Sequence, residues 1–161
     1  MGNKRKEIRT ALAALLNGST SAGDRVFPSR VHPTYRLTYP AVFVFATEEK
    51  STTVQLVPRM YERTLSLKIQ VVTAGVTSDS EDEIDTVMGQ IEDLVDPVRQ
   101  LTSDVTITEY VGAQIDLFSE GSSDFASGIL EYEAKYYTEV EYATPVYAAT
   151  VNIDGNTIEL E

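Results

Sequence analysis

Two long segments alternate between apolar and polar residues, and this period of two constrains the fold more than any other feature of the chain. They span residues 61–73 and 129–142. Successive residues of a strand point to opposite faces of a sheet, so each segment predicts a long strand with one buried face. The side chains expected on the apolar sides are Tyr61, Leu65, Leu67, Ile69, Val71 and, in the second segment, Leu130, Tyr132, Ala134, Tyr136, Thr138.

Two other segments carry apolar residues at helical spacing, residues 6–17 and 78–100. The first ends at Asn17-Gly18, a common helix stop. Either Ser78 or Ser80 can cap the second, and its acidic first turns suit the positive end of a helix dipole. We expect two helices here, with Asp96-Pro97 kinking or ending the second.

Shorter segments complete the predicted sheet. The apolar run 41–46 predicts a strand buried on both faces, and residues 25–28 and 105–110 predict short strands. The polar segment 47–58 predicts a long mobile loop or the tip of a hairpin. We interpret residues 116–128, which are rich in Ser, Gly and Asp, as a loop.

The last residues predict a separate hairpin, because Asp154-Gly155 lies between two β-forming segments. Taken together, the elements predict an α+β fold: a mixed, mainly antiparallel sheet with two helices on one face. We expect one domain over residues 1–143, followed by a β-hairpin extension over residues 144–161. This extension is expected to contact another chain or to extend the sheet edge.

Composition excludes several classes of function. The chain of 161 residues has 25 acidic and 13 basic residues, no Cys and a single His. A net charge of −12 argues against nucleic-acid binding over the whole surface, and the lack of Cys excludes disulfides and thiolate metal sites. No apolar run reaches the roughly 20 residues that a transmembrane helix needs. We also expect no signal peptide.

No catalytic, cofactor or metal site is expected. The sequence has no phosphate-binding loop and no nucleophile elbow, and His32 is interpreted as an ordinary loop residue. Acidic residues in 79–85 are better explained as a solvated first helical turn than as a cation site. The tyrosines of segment 129–142 are expected to serve in packing or a subunit interface, because the intervening glutamates would repel the phosphates of a stacked nucleic acid.

The order and spacing of these elements resemble a known family. The relevant features run from about Glu7 to Glu139: the helix ending at Asn17, Pro40 before the apolar strand, the polar segment 47–58, the acidic helix start and the closing strand. In these features the chain resembles the tail terminator proteins of long-tailed bacteriophages, the lambda-like minor tail protein U family. It departs from that family in a longer segment 25–39 and in the added residues 144–161.

The resemblance implies a structural virion protein rather than an enzyme. Members form a ring, usually a hexamer, that caps the tail tube, stops its growth and offers a surface to the head-side connector. The implied partners are other copies of the chain, the tail tube protein and connector or neck proteins, while DNA passes through without sequence-specific binding. The implied location is the tail or neck of the virion, assembled in the host cytoplasm, with no membrane partner.

Candidate interface residues come from two regions. The resemblance implies that the polar segment 47–58 faces assembly partners. We expect the two arginines beside it to pair with acidic groups on a neighbour, or to be solvated. The resulting candidates, with the hairpin turn, are Thr47, Glu48, Glu49, Lys50, Arg59, Arg63, Asp154 and Gly155. Two alternatives remain open: a head–tail joining or tail-completion protein of similar fold, and a small enzyme or cation-binding module.

Charge is unevenly distributed along the chain. Residues 1–40 carry seven basic and two acidic side chains, a net charge of +5, which leaves −17 for the rest. The subunit is therefore expected to be polarised, with a basic N-terminal region that meets an acidic surface on a neighbour or partner.

Overall fold

A computed structural model describes residues 3–29, 38–75, 77–120, 123–142, 150–153 and 156–159. Two helices and eight strands occur in this part of the chain. In order they are α1 Lys4–Leu16, β1 Val26–Phe27, β2 Ala41–Leu56, β3 Arg59–Ala74, α2 Ser78–Val95, β4 Gln100–Thr102, β5 Val105–Glu120, β6 Ser123–Glu139, β7 Thr150–Ile153 and β8 Asn156–Glu159.

The first six strands form one sheet in the order β1-β2-β3-β6-β5-β4. Only β1 and β2 are parallel, and every other neighbouring pair is antiparallel. Two long hairpins, β2–β3 and β5–β6, lie side by side through the β3–β6 pairing. The predicted α+β class with a mixed, mainly antiparallel sheet is confirmed.

The two alternating segments form the centre of this sheet. On one face, every second residue of β3 from Leu65 to Val71 and of β6 from Leu130 to Tyr136 is buried. Leu67 lies opposite Tyr132 and Ile69 opposite Leu130, so both strands present one apolar face. Tyr61 and Thr138, also predicted on that face, are only half-buried, because they lie near the end of the sheet.

Both helices pack on this apolar face, which we call the helix face. The core side chains of α1 are Ile8, Leu12 and Leu16. Those of α2 are Ile84, Val87, Met88, Ile91 and Val95. The opposite, helix-free face has a smaller cluster of Ala41, Phe43, Phe45 and Val72. Strand β2 is therefore buried on both faces over residues 41–45, as predicted.

Local capping defines the helix ends. The side chain of Asn3 accepts a hydrogen bond from the backbone N–H of Lys6 and caps α1. Thr77 caps α2 by accepting from the N–H of Ser80, so the predicted caps Ser78 and Ser80 were wrong by one and three positions. Helix α2 ends at Val95, directly before Asp96-Pro97, which confirms the expectation that this pair ends the helix; the alternative, a kink with continuation to residue 100, is not formed.

Both long polar segments are strands rather than loops. Strand β2 continues to Leu56, so the hairpin interpretation of residues 47–58 is right and the mobile loop is wrong. Strands β5 and β6 likewise continue through most of the predicted loop 116–128, and β5 extends well beyond Tyr110. Polar residues are compatible with a strand here because backbone pairing satisfies the peptide groups while the side chains reach water.

The sheet curls around α1. This helix contacts β1 and β2 and also β4, which lies at the other end of the strand order. Lys4 Nζ lies 2.6 Å from a carboxylate oxygen of Asp104 in the β4–β5 turn, while Arg5 pairs with Glu49 of β2. The first turn of α1 thus connects β2, near one edge of the sheet, to the β4–β5 turn at the other edge.

The C-terminal strands β7 and β8 pair antiparallel around residues 154 and 155. Within the described residues this hairpin is a separate two-stranded sheet and does not extend the larger one. Its contact with another chain stays a prediction.

Candidate assembly surfaces

The β2–β3 hairpin extends beyond the part of the sheet that the helices cover, with β6 paired to β3 as far as Met60. We call residues 47–66 the hairpin arm. Every residue from Lys50 to Arg59 is exposed. The tip is apolar: 70% of Leu56 and 87% of Val57 are exposed, and Val54 is also exposed. Clustered exposed apolar side chains are typical of contact sites for other molecules.

The base of the arm is held by the carboxylate of Glu49, whose side chain is only 11% exposed. Arg63 Nη1 donates to Oε1 at 2.7 Å, and Arg5 Nε donates to Oε2 at 2.9 Å. The Tyr136 hydroxyl donates to Oε2 at 2.5 Å. One carboxylate therefore joins α1, β2, β3 and β6, and charge-assisted hydrogen bonds of this kind are stronger than neutral ones.

These contacts keep Glu49 ionised. Burial acts to raise the pKa of Glu49, but hydrogen bonds from Arg5, Tyr136 and Arg63 together outweigh it and lower the pKa to about 2. Burial and the hydrogen bond to Glu49 raise the pKa of Tyr136 to about 12. Neither Glu49 nor Tyr136 therefore changes protonation near neutral pH. We interpret the site as a structural ion pair that joins the four elements.

The two arginines expected to contact a neighbour differ in their surroundings. Arg63 is engaged within its own chain: it pairs with Glu49, Nε donates to Thr138 Oγ1 at 2.8 Å, and the guanidinium lies 5.7 Å from the Tyr61 ring centre. Arg59 is exposed and its side chain makes no ion pair with the described residues. Its role at an interface stays a prediction.

The other candidates also lie on the arm or outside the described residues. Thr47 and Glu48 are exposed, and Lys50 approaches Glu48 at 3.8 Å, which is a weak surface pair. The structure thus places Thr47, Glu48, Glu49, Lys50, Arg59 and Arg63 on one hairpin. Asp154, Gly155 and His32 lie outside the described residues.

A second apolar surface was missed by the sequence reasoning. Ala113, Ile115 and Leu117 of β5 lie opposite Leu130, Gly128 and Ala126 of β6, so they belong to the helix face. We call these three residues the β5 stripe. Ile115 and Leu117 are 48% and 55% exposed. The period of two in residues 111–117 was the available signal, but the neighbouring Ser, Gly and Asp residues favoured a loop.

The tyrosines of β6 serve in packing and hydrogen bonding to carboxylates. Tyr132 is buried, its hydroxyl donates to Asp96 at 3.1 Å, and its ring centre lies 5.3 Å from that of Tyr110. Burial, together with Asp96, raises the pKa of Tyr132. The exposed Tyr137 donates to Glu62 at 2.7 Å. Carboxylates beside these rings disfavour a stacked nucleic acid.

Among the residues that the structure describes, no three His, Asp or Glu side chains are grouped so that they could hold a metal ion. In the same part of the chain, no helix has the length and apolar character needed to cross a membrane. No model of a known protein family matches the sequence, and the search of curated proteins found no significant match.

Proposed function

We propose that this chain is a structural assembly protein, a phage tail terminator that forms a ring on the end of the tail tube. The observation that carries the assembly role is the exposed apolar tip of the hairpin arm, held at its base by Glu49. An exposed apolar tip at the turn of this hairpin is suited to contacting a partner surface. Its position in a tail is supported by the family resemblance of the sequence.

The proposed role requires no catalytic activity. The ring would stop tube growth by covering the exposed end of the tube, and it would offer its opposite side to connector proteins. DNA would pass through the centre, where acidic side chains provide phosphates with no cation to bind. The proposed location is the virion tail or neck, with assembly in the host cytoplasm.

The second candidate function is a different structural role at the same junction of head and tail. A head–tail joining or tail-completion protein would use the same arm on a connector instead of a tube. Both roles predict self-association and an arm contact, so the binding partner distinguishes them. An enzyme or cation-binding module gains no support from any specific site among the described residues.

The test is tube assembly in the presence of this protein. The tail tube protein encoded in the same genome is polymerised alone and with the purified chain, and tube lengths are measured by electron microscopy. We expect shorter tubes with extra density at one end. Tubes of unchanged length with no bound density would overturn the terminator proposal, and binding to purified connector alone would favour the neck role.

A further inference from the structure

Among the described residues, the sheet has two long edges with no further strand beside them. Strand β1 pairs with β2 only at Val42 and Phe43, and within the described residues no strand covers β2 from Val44 to Leu56. On the other side, β4 pairs with β5 only at Val105 and Thr106, and no other strand in the described part of the chain covers β5 beyond Ile107. Such edges present unpaired N–H and C=O groups and readily pair with another chain.

We infer that the open edge of β5 pairs with the open edge of β2 in the next copy of the chain, so that the sheet continues from subunit to subunit. This inference rests on the proposed ring and names the contact that builds it. Strand direction is compatible with the pairing, because β2 and β5 run antiparallel within the sheet. Two copies in the same orientation therefore bring these edges together as an antiparallel pair, which is a heterologous contact.

Apolar side chains support this partner. The β5 stripe lies on the helix face beside α2 and is half-exposed in a single copy. Arg59 and Leu65 lie on the same face of β3, the helix face, because side chains alternate along a strand. Leu56 of β2 lies opposite Arg59 and therefore also belongs to the helix face. The pairing would place Leu56 of one copy on the same side of the continuous sheet as Ile115 and Leu117 of its neighbour.

Charge also favours this arrangement over two β5 edges meeting each other. The charged side chains described between Ile107 and Leu117 are Glu109 and Asp116, and both are exposed. They lie on the helix-free face, as does Lys50 of β2. Glu48 lies beside Lys50 on that face, so the face carries no net charge on β2, whereas pairing of β5 with β5 would bring like charges together.

The open segments are offset along the strands. The open part of β2 is centred on Lys50, which is level with Lys135 of β6. The open part of β5 is centred on Gln114, which is level with Ile129 of β6. Six residues at roughly 3.3 Å each correspond to an offset of about 20 Å. Paired copies would therefore be staggered, as strands are in a closed sheet.

Cross-linking tests this contact directly, because the chain has no cysteine of its own. With the middles of the open segments aligned, Thr53 and Ile115 lie four residues apart along the strands, about 13 Å. Thr53→Cys and Ile115→Cys variants are therefore prepared separately, mixed, and treated with a bis-maleimide that spans this distance. We expect cross-linked dimers in the mixture and little in either variant alone. The matched control is a mixture of Ala14→Cys, on the exposed side of α1, with Ile115→Cys, which should give at least tenfold less dimer.

The double variant Thr53→Cys/Ile115→Cys should give a ladder of cross-linked species. Dimers from Ile115→Cys alone would show that β5 pairs with itself and would overturn the inference. A ring seen by native mass spectrometry with no cross-link in the Thr53→Cys and Ile115→Cys mixture would overturn the edge pairing but not the ring. Absence of any oligomer, alone or on tubes, would overturn both.

Discussion

Arg5 Nε donates to Glu49 Oε2 at 2.9 Å, which joins the first turn of α1 to a strand 44 residues away in sequence. Arg63 and Tyr136 donate to the same carboxylate. Besides the backbone pairing of β3 with β6, one acidic side chain therefore links the base of the hairpin arm to α1 and the core, and replacing Glu49 tests this joint most simply.

The Glu49→Gln variant should be less stable by about 1–3 kcal/mol, because the part-buried contacts with Arg63 and Tyr136 and the exposed contact with Arg5 lose their charged acceptor. Urea unfolding followed by circular dichroism measures the change. Glu48→Gln is the matched control. The carboxylate of Glu48 is exposed and only weakly paired, so we expect its loss to change the free energy of unfolding by no more than about 0.5 kcal/mol. Equal effects of the two variants would contradict the proposed joint.

The stabilisation by Glu49 should disappear in acid. Its pKa in the folded chain is about 2, below the ordinary value of 4.5, so the unfolded chain takes up a proton first as the pH falls. The contribution is fully present above about pH 4.5 and is lost as the pH falls toward about 2. The stability difference between wild type and Glu49→Gln should narrow across that window. A difference that is constant from pH 6 to pH 2 would contradict the lowered pKa.

Gly128 should tolerate no side chain. A Cβ at this position would lie 2.7 Å from Ile84 Cγ2 and would also overlap Met88, because α2 packs directly on β6 there. We expect Gly128→Ala to lower the free energy of unfolding by about 1–3 kcal/mol through overpacking. At Gly112 a Cβ meets nothing within 4 Å, so Gly112→Ala should cause little loss. Thermal unfolding of both variants checks the contrast.

The arm tip should matter for assembly and not for folding. Val57 is 87% exposed, so Val57→Asp should change stability by no more than about 0.5 kcal/mol. It should nevertheless abolish the shortening of tubes, because a carboxylate at the tip must be desolvated at an apolar contact. Ala14→Asp adds the same charge on the exposed side of α1 and should leave tube length as in the wild type. If Val57→Asp shortens tubes as the wild type does, the tip is not part of the proposed contact.

The centre of the fold was predictable because its sequence signals were strong. Residues such as Leu67 and Tyr132 alternate with polar neighbours, and both segments became buried strands in register. Residues 47–56 and 111–120 carried weaker signals. Their strands form through backbone pairing with β3 and β6, and this pairing leaves little trace in side-chain polarity.

The candidate site was predictable only in part. Segment 47–58 pointed to an exposed element, and residues 50–59 of the arm are exposed as expected. The link between Glu49 and Arg63 was not foreseen, although they lie 14 residues apart on one hairpin, because their meeting depends on the register of β2 against β3. The contact of Arg5 with Glu49 depends further on how α1 packs, which no local pattern specifies.

Native mass spectrometry of the purified chain, alone and bound to tail tubes, tests the central claim most directly. A ring-forming terminator predicts one discrete oligomer of fixed copy number, with the hexamer expected, that either exists in solution or appears on addition of tubes. A chain that stays monomeric under both conditions, or an open series of oligomers without a preferred size, would contradict it.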